Sequence, residues 1–201
     1  MNKIFFDTLV KIICIFLFIV SCSKGSPNQK EILALQENSN ISDEEALYGI
    51  GRIIFRDTLK SFKAEKNSSE KQDVTIEYGG NRAYTFYTEG NYSERIQFDT
   101  VRLILLYANA AKKRNLDNMR ISVVKPYYVK EPDVKKEVTE EFEVFRASIS
   151  VSDLEKISGW NNQKLLNDNR NVNNPNVIET FNQVRLRWKI ELNELSRIEL
   201  K

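Results

Sequence analysis

Both cysteines of this chain, Cys14 and Cys22, lie near its N-terminus, and histidine is absent. Beyond Cys22 nothing remains to form a disulfide, and no imidazole exists to ligate a metal. The rest of the chain must hold itself together by burying apolar side chains. The missing histidine also removes Ser-His-Asp and Cys-His catalytic machinery. With 201 residues, 41% of them hydrophobic and 29% charged, there is material for one globular core and hardly for two.

Residues Ile12 to Val20 (IICIFLFIV) form an unbroken apolar run, preceded by Lys3 and Lys11. A membrane-spanning helix needs roughly 20 such residues. The run is too short for that and suits the apolar centre of an export signal. A buried core helix is the ordinary alternative, but polar, turn-forming residues follow at once. The run closes on Ile19-Val20-Ser21-Cys22, which resembles the lipobox of bacterial lipoproteins: an aliphatic residue, a small or aliphatic one, a small one, then cysteine. Cys14 does not match, because Lys11 occupies its −3 position.

The resemblance implies cleavage between Ser21 and Cys22, diacylglycerol on the Cys22 thiol, and an acylated new amine, with palmitate among the expected chains. It implies a cell-envelope protein anchored to a bacterial membrane, the outer rather than the inner, without spanning it. The mix of Lys, Asn and Ile is similar to that of spirochaetal lipoproteins. One acyl chain binds a bilayer only reversibly, whereas two or three make attachment effectively permanent.

The expected organisation is a signal peptide over 1–21, a lipidated tether over 22–41 and a globular domain over 42–201. The tether opens with polar residues, Gly25 and Pro27. Ile32, Leu33 and Leu35 start a short helix within it. Removing Lys3, Lys11 and Asp7 leaves 28 of 30 bases and 27 of 28 acids, a mature charge of +1. A nucleic-acid partner would require clustered excess base, which is not present.

Ser42-Asp43-Glu44-Glu45 reads as a capping box, with Ser42 as N-cap and Glu45 at N3. The apolar spacing of Leu47, Ile50, Ile54, Phe55, Leu59 and Phe62 predicts a helix over about 43–64. Gly49 and Gly51 each cost such a helix about 1 kcal/mol against alanine. No strand precedes them and no third glycine follows, so they do not form a dinucleotide-binding turn, and close packing against a neighbour is the expectation. Alternation at Val74, Ile76 and Tyr78, the turn residues Gly79-Gly80-Asn81, and alternation at Tyr84 and Phe86 predict a hairpin. A third strand is expected over Tyr92–Phe98, then a helix from an Asp99 N-cap to Arg114. Strands follow over Arg120–Val129 and Glu141–Val151, with a helical turn over Ser152–Ile157 and an asparagine-rich loop over 161–176.

Val184, Leu186, Trp188, Ile190 and Leu192 alternate with Arg185, Arg187, Lys189 and Glu191, which predicts a strand over 184–192. A helical phase through Val177, Phe181, Val184, Trp188, Leu192 and Leu195 competes with it. Ile198 and Leu200 would extend the sheet. The sum is a single α+β domain with a largely antiparallel sheet and two main helices.

Few residues carry chemistry. Glu140 and Glu141 are neighbours on an expected strand and so point to opposite faces, unlike carboxylates paired across a cleft. Asn167, Asn169 and Asn171 have calcium-loop spacing, but Val172 and Ile178 stand where the loop glycine and glutamate belong. On a strand, Arg185, Arg187 and Lys189 would share one face. That face is ordinarily a solvated one; its functional reading is an anion site for a sulfated glycan or lipid headgroup. The aromatics Tyr78, Tyr84, Phe86, Tyr87, Tyr92, Tyr127 and Tyr128 ordinarily pack core and cross-strand pairs, and would otherwise line a cleft. No catalytic residue, metal ligand or cofactor site emerges. The expectation is a non-enzymatic binding domain whose partner is a protein or an envelope component. The alternative is a periplasm-facing role in envelope assembly or lipid handling.

Overall fold

The computed structural model describes residues 29–79, 92–129, 138–161 and 175–195. The first well-capped element is α2 (Asp43–Phe55), which follows the shorter α1 (Gln29–Glu37). The capping box closes α2 as expected: the Glu45 N–H donates to Ser42 Oγ at 3.1 Å, and the Ser42 N–H donates to Glu45 Oε2 at 3.0 Å. The helix stops at Phe55, nine residues short of the expected end at 64. Arg56 takes a positive φ of 51°, and the Thr58 hydroxyl donates to the Phe55 carbonyl.

Leu59 and Phe62 belong instead to β1 (Leu59–Lys66), paired antiparallel with β2 (Gln72–Gly79). The ladder shifts register between Leu59 and Ser61, so Leu59 and Phe62 both turn inward although three residues apart. That bulge imitates helical spacing. Gly49 and Gly51 serve close approach: a Cβ on Gly49 would lie 2.9 Å from Leu35 Cδ1, and one on Gly51 would lie 3.3 Å from the Phe62 ring.

The chain continues through α3 (Tyr92–Ala111), β3 (Leu116–Val129), β4 (Val138–Ser150), the short α4 (Val151–Glu155), α5 (Pro175–Arg187) and β5 (Lys189–Asn193). The sheet order is β1-β2-β3-β4-β5. Only β2 and β3 run parallel, and their connection carries α3, because parallel neighbours need a crossover. The remaining pairs are antiparallel. This is an α+β domain with a largely antiparallel sheet, as the patterning predicts.

Two local expectations fail here. Tyr92–Phe98 is the start of α3, and Asp99 is a mid-helix residue 3.9 Å from Arg102. Ile96, Thr100, Ile104, Tyr107, Ala108 and Ala111 are buried with helical spacing, and that face outweighs the capping preference of Asp99. The predicted hairpin partner of β2, around Tyr84–Tyr87, lies outside the described residues.

The helices cover one face of the sheet. Val74, Ile76 and Tyr78 of β2, Met119, Ile121 and Val123 of β3, and Phe145, Ala147 and Ile149 of β4 meet Leu47, Ile50, Ile104 and Tyr107 in one cluster. Tyr78 is core: its hydroxyl lies 2.8 Å from Thr100 Oγ1, which itself donates to the Ile96 carbonyl. The other face is polar. Ser122 and Arg146 both donate to the Glu143 carboxylate, while Arg120 and Ser148 donate to Glu191 at 2.7 and 2.9 Å.

The helix expected near Ile32–Leu35 is α1, and it is docked. Arg114, at the end of α3, donates through Nε to the Leu35 carbonyl at 2.9 Å and through Nη2 to the Asn38 carbonyl at 2.6 Å. The same guanidinium sits 3.5 Å from Asp43. Residues 1–28, with Ser21 and Cys22, lie outside the described residues, as do the asparagines from 167 to 171, Ile198 and Leu200. No described helix is long and apolar enough to cross a membrane.

Candidate functional site

The segment read as a strand over 184–192 is helix through Arg187 and strand only from Lys189. Pro175 is the first helical residue of α5, where its missing N–H removes no intrahelical bond. Val177, Phe181 and Val184 are buried at helical spacing, and Trp188 is buried just past the helix end. The Phe181 ring lies 4.2 Å from that of Phe98 on α3, and the Trp188 ring lies 5.2 Å from that of Phe145 on β4. The competing helical phase therefore holds as far as Trp188, and the period-two pattern is a splice of two elements. Trp188 is buried as the strand reading required. Leu186 is 77% exposed and Ile190 46%, which that reading did not allow.

The splice leaves an apolar surface uncovered. Gln97 of α3, Asn182, Arg185 and Leu186 of α5, Trp188, and Ile190 of β5 line an open groove of roughly 330 Å³. Leu186 and Ile190 form its apolar wall over Trp188. Among the described residues no hydrogen bond or ion pair engages the side chains of Gln97, Asn182 or Arg185. Among the described residues the lining thus combines apolar surface, two free amides and one free guanidinium, with no carboxylate. It lies where β5 forms one edge of the sheet.

The three expected anion-binding residues do not share a face. Arg185 lines the groove. Arg187, about 200° further round the helix, donates to the Gln183 carbonyl at 3.1 Å and to its side-chain oxygen. Lys189 pairs in register with Ser148, on the polar side of the sheet. A helix-to-strand junction sends them in three directions, so the premise of one basic strand face is corrected. The groove itself was not foreseen, because the strand reading buried two of its apolar residues. The signal that could have exposed it is Pro175 thirteen residues before Trp188, a helix start that carries the chain through Leu186 on an outward face.

One further ionisable group stands out. Lys125 of β3 is 4% exposed, and burial pushes its ammonium down to about 7, with Asp99 of α3 acting in the opposite sense. Lys125 follows Ile121 and Val123 on the inward positions of β3, a parity the sequence already contains. Glu143, which burial alone would raise, is held below the usual carboxylate range by hydrogen bonds from Arg146 and Ser122. Glu191 is held down likewise by Ser148 and Arg120 against the effect of burial. These carboxylates are acceptors already in use. Glu141 is bound to Lys60 at 2.7 Å. Among the described residues no three Asp, Glu, His or Cys side chains gather as a metal site.

No protein-family model, curated protein or solved structure matches this chain.

Among the described residues the groove at α5 and β5 sets apolar side chains beside unengaged polar ones. Its apolar wall favours removal of apolar surface from water, and its free amides and guanidinium favour a hydrogen-bond acceptor or an anion placed beside that surface.

Proposed function

We propose that this chain is a lipoprotein of the bacterial cell envelope, held to a membrane through lipid on Cys22, whose domain is a non-catalytic module binding a partner protein. The observation that carries the binding half is the groove between α5 and β5, where Leu186 is 77% exposed beside the unengaged Arg185. An exposed leucine beside a second exposed apolar residue, ringed by unpaired polar groups, gives a partner apolar surface to cover and polar groups to engage at its rim. A volume of roughly 330 Å³ is at the small end for ligand sites, about 300–1,000 Å³, and the site is open. That favours a partner's side chains over an enclosed lipid tail. The anchor half rests on the lipobox resemblance.

The geometry adds one consequence. Six residues, Ser23 to Asn28, separate Cys22 from docked α1. Such a segment reaches about 20 Å when fully extended, so the domain rides close to the bilayer and its partner is met there.

Photo-cross-linking and lipid labelling in cells test the two halves. A cross-linking residue replacing Leu186 in the full chain should join a discrete partner in the membrane fraction. The same residue replacing Glu65, on the opposite edge strand, should not. With Cys22→Ala, lipid labelling of the chain should be lost and the precursor should stay uncut. Equal cross-linking from the two positions would overturn the groove reading, and lipid labelling that survives Cys22→Ala would overturn the anchor.

A further inference from the structure

The groove lies against an edge strand, and the two together define what fits. We infer that β5 accepts an extended acidic segment of a partner protein as a sixth strand, with its apolar side chains turned into the groove. This rests on the reading of the groove as a partner site. Edge strands expose a row of backbone donors and acceptors that a further strand can satisfy, and alternate side chains of that strand then select the sequence. Among the described residues β5 pairs with β4 on one side only. Ile190 pairs with Ala147 on the helix-covered side of the sheet, so an added strand places every second side chain beside Ile190, against Leu186 and Trp188. Its intervening side chains fall on the open side, next to Lys189.

Charge decides the chemistry of those intervening residues. Lys189 is exposed, and no described residue forms an ion pair with it. The one acid of β5, Glu191, is turned back across β4, where it accepts from Ser148 and Arg120. On the groove side Arg185 is likewise unengaged. Among the described residues the open side of the edge therefore offers the free ammonium of Lys189 and no free carboxylate, which matches a strand alternating apolar and acidic residues. A second copy of the chain fits less well. Its β5 brings only an occupied Glu191, and on its β1 edge Glu65 is already paired with Lys63, while Lys60 and Lys66 hold Glu141 and Glu70.

The test uses full-length lipidated protein in detergent and two fluorescent peptides, one alternating Val and Glu, the other alternating Val and Lys. The Val-Glu peptide should bind about tenfold more tightly, the size expected where attraction to Lys189 replaces repulsion from it, and added salt should weaken it. Amide exchange should slow at Lys189–Asn193 in the complex and not along β1. The double substitution Arg185→Glu with Lys189→Glu, both on exposed positions, should reverse the preference while leaving the melting temperature unchanged. Equal binding of the two peptides, binding without protection of β5, or concentration-dependent dimers joined through β5 would each overturn the inference. If Leu186 cross-links a partner in cells but neither peptide protects β5, the groove reading stands and the added strand falls. If both assays are negative, both fall.

Discussion

Arg114 does the work of a joint. It is 7% exposed, and its guanidinium bridges the carbonyls of Leu35 and Asn38 and the Asp43 carboxylate, tying α1, α2 and the end of α3 together. Nothing in the local sequence signals this, because an arginine at the end of a helix ordinarily serves the helix dipole and solvent. Arg114→Ala should lower stability by about 2–3 kcal/mol, the value of a few hydrogen bonds to a charged group. Denaturant unfolding measures the loss, and faster amide exchange over residues 29–37 would locate it. Lys125 makes a prediction in pH. Its folded value of about 7 lies below its ordinary value of 10.5, so between these limits the unfolded chain holds the extra proton. Stability from this group therefore rises with pH from about 7 toward 10, and below 7 the cost of burying the charge is present in full. Lys125→Met should raise the melting temperature at pH 7 and lose most of that gain by pH 10. Above pH 10 the buried Tyr78 and Tyr107 act oppositely, because burial raises both well above the ordinary tyrosine value. A gain that does not vary between pH 7 and 10 would contradict the assignment.

At the scale of elements, legibility followed the strength of the local signal. The capping box set the start of α2, and unbroken alternation or apolar runs located β2, β3 and β4. Three misreadings share one cause, since periodicity is a property of burial and burial is decided by tertiary neighbours. The bulge at Leu59/Ser61 gave β1 a helical spacing. The first turns of α3 were read as a strand because Tyr92, Ile96 and Phe98 satisfy a loose alternation. Val184 to Leu192 alternated because buried Val184 and Trp188 happen to interleave with exposed Leu186 of the helix and with Ile190 and Leu192 of the strand that follows. The corrected α5–β5 junction makes its own stability prediction. Trp188→Ala should cost about 3–5 kcal/mol, since its ring is packed against Phe145. Leu186→Ser should cost under about 0.5 kcal/mol, because its side chain is in water. A continuous strand would bury both residues and make both substitutions costly, so thermal unfolding of the two variants separates the structures.

For the molecule as a whole, the α+β class and the largely antiparallel sheet could be read from the chain. The parallel pairing of β2 with β3 could not, because it depends on where α3 returns the chain. The groove was hidden for the same reason: it arises from three elements that meet only in the folded state. The domain that results is polar on one sheet face, covered by helices on the other, and incomplete at the β5 edge. Its proposed attachment through Cys22 would leave no free thiol after cleavage, since Cys14 lies in the leader and the chain has no other cysteine. Introduced cysteines can therefore report on single positions. The most direct measurement compares maleimide labelling of Leu186→Cys and Glu65→Cys in native envelopes and after purification in detergent. The account predicts that Leu186→Cys is shielded in envelopes and reacts readily once purified, while Glu65→Cys reacts alike in both. Labelling of Leu186→Cys that is as fast in envelopes as in the purified protein would contradict it.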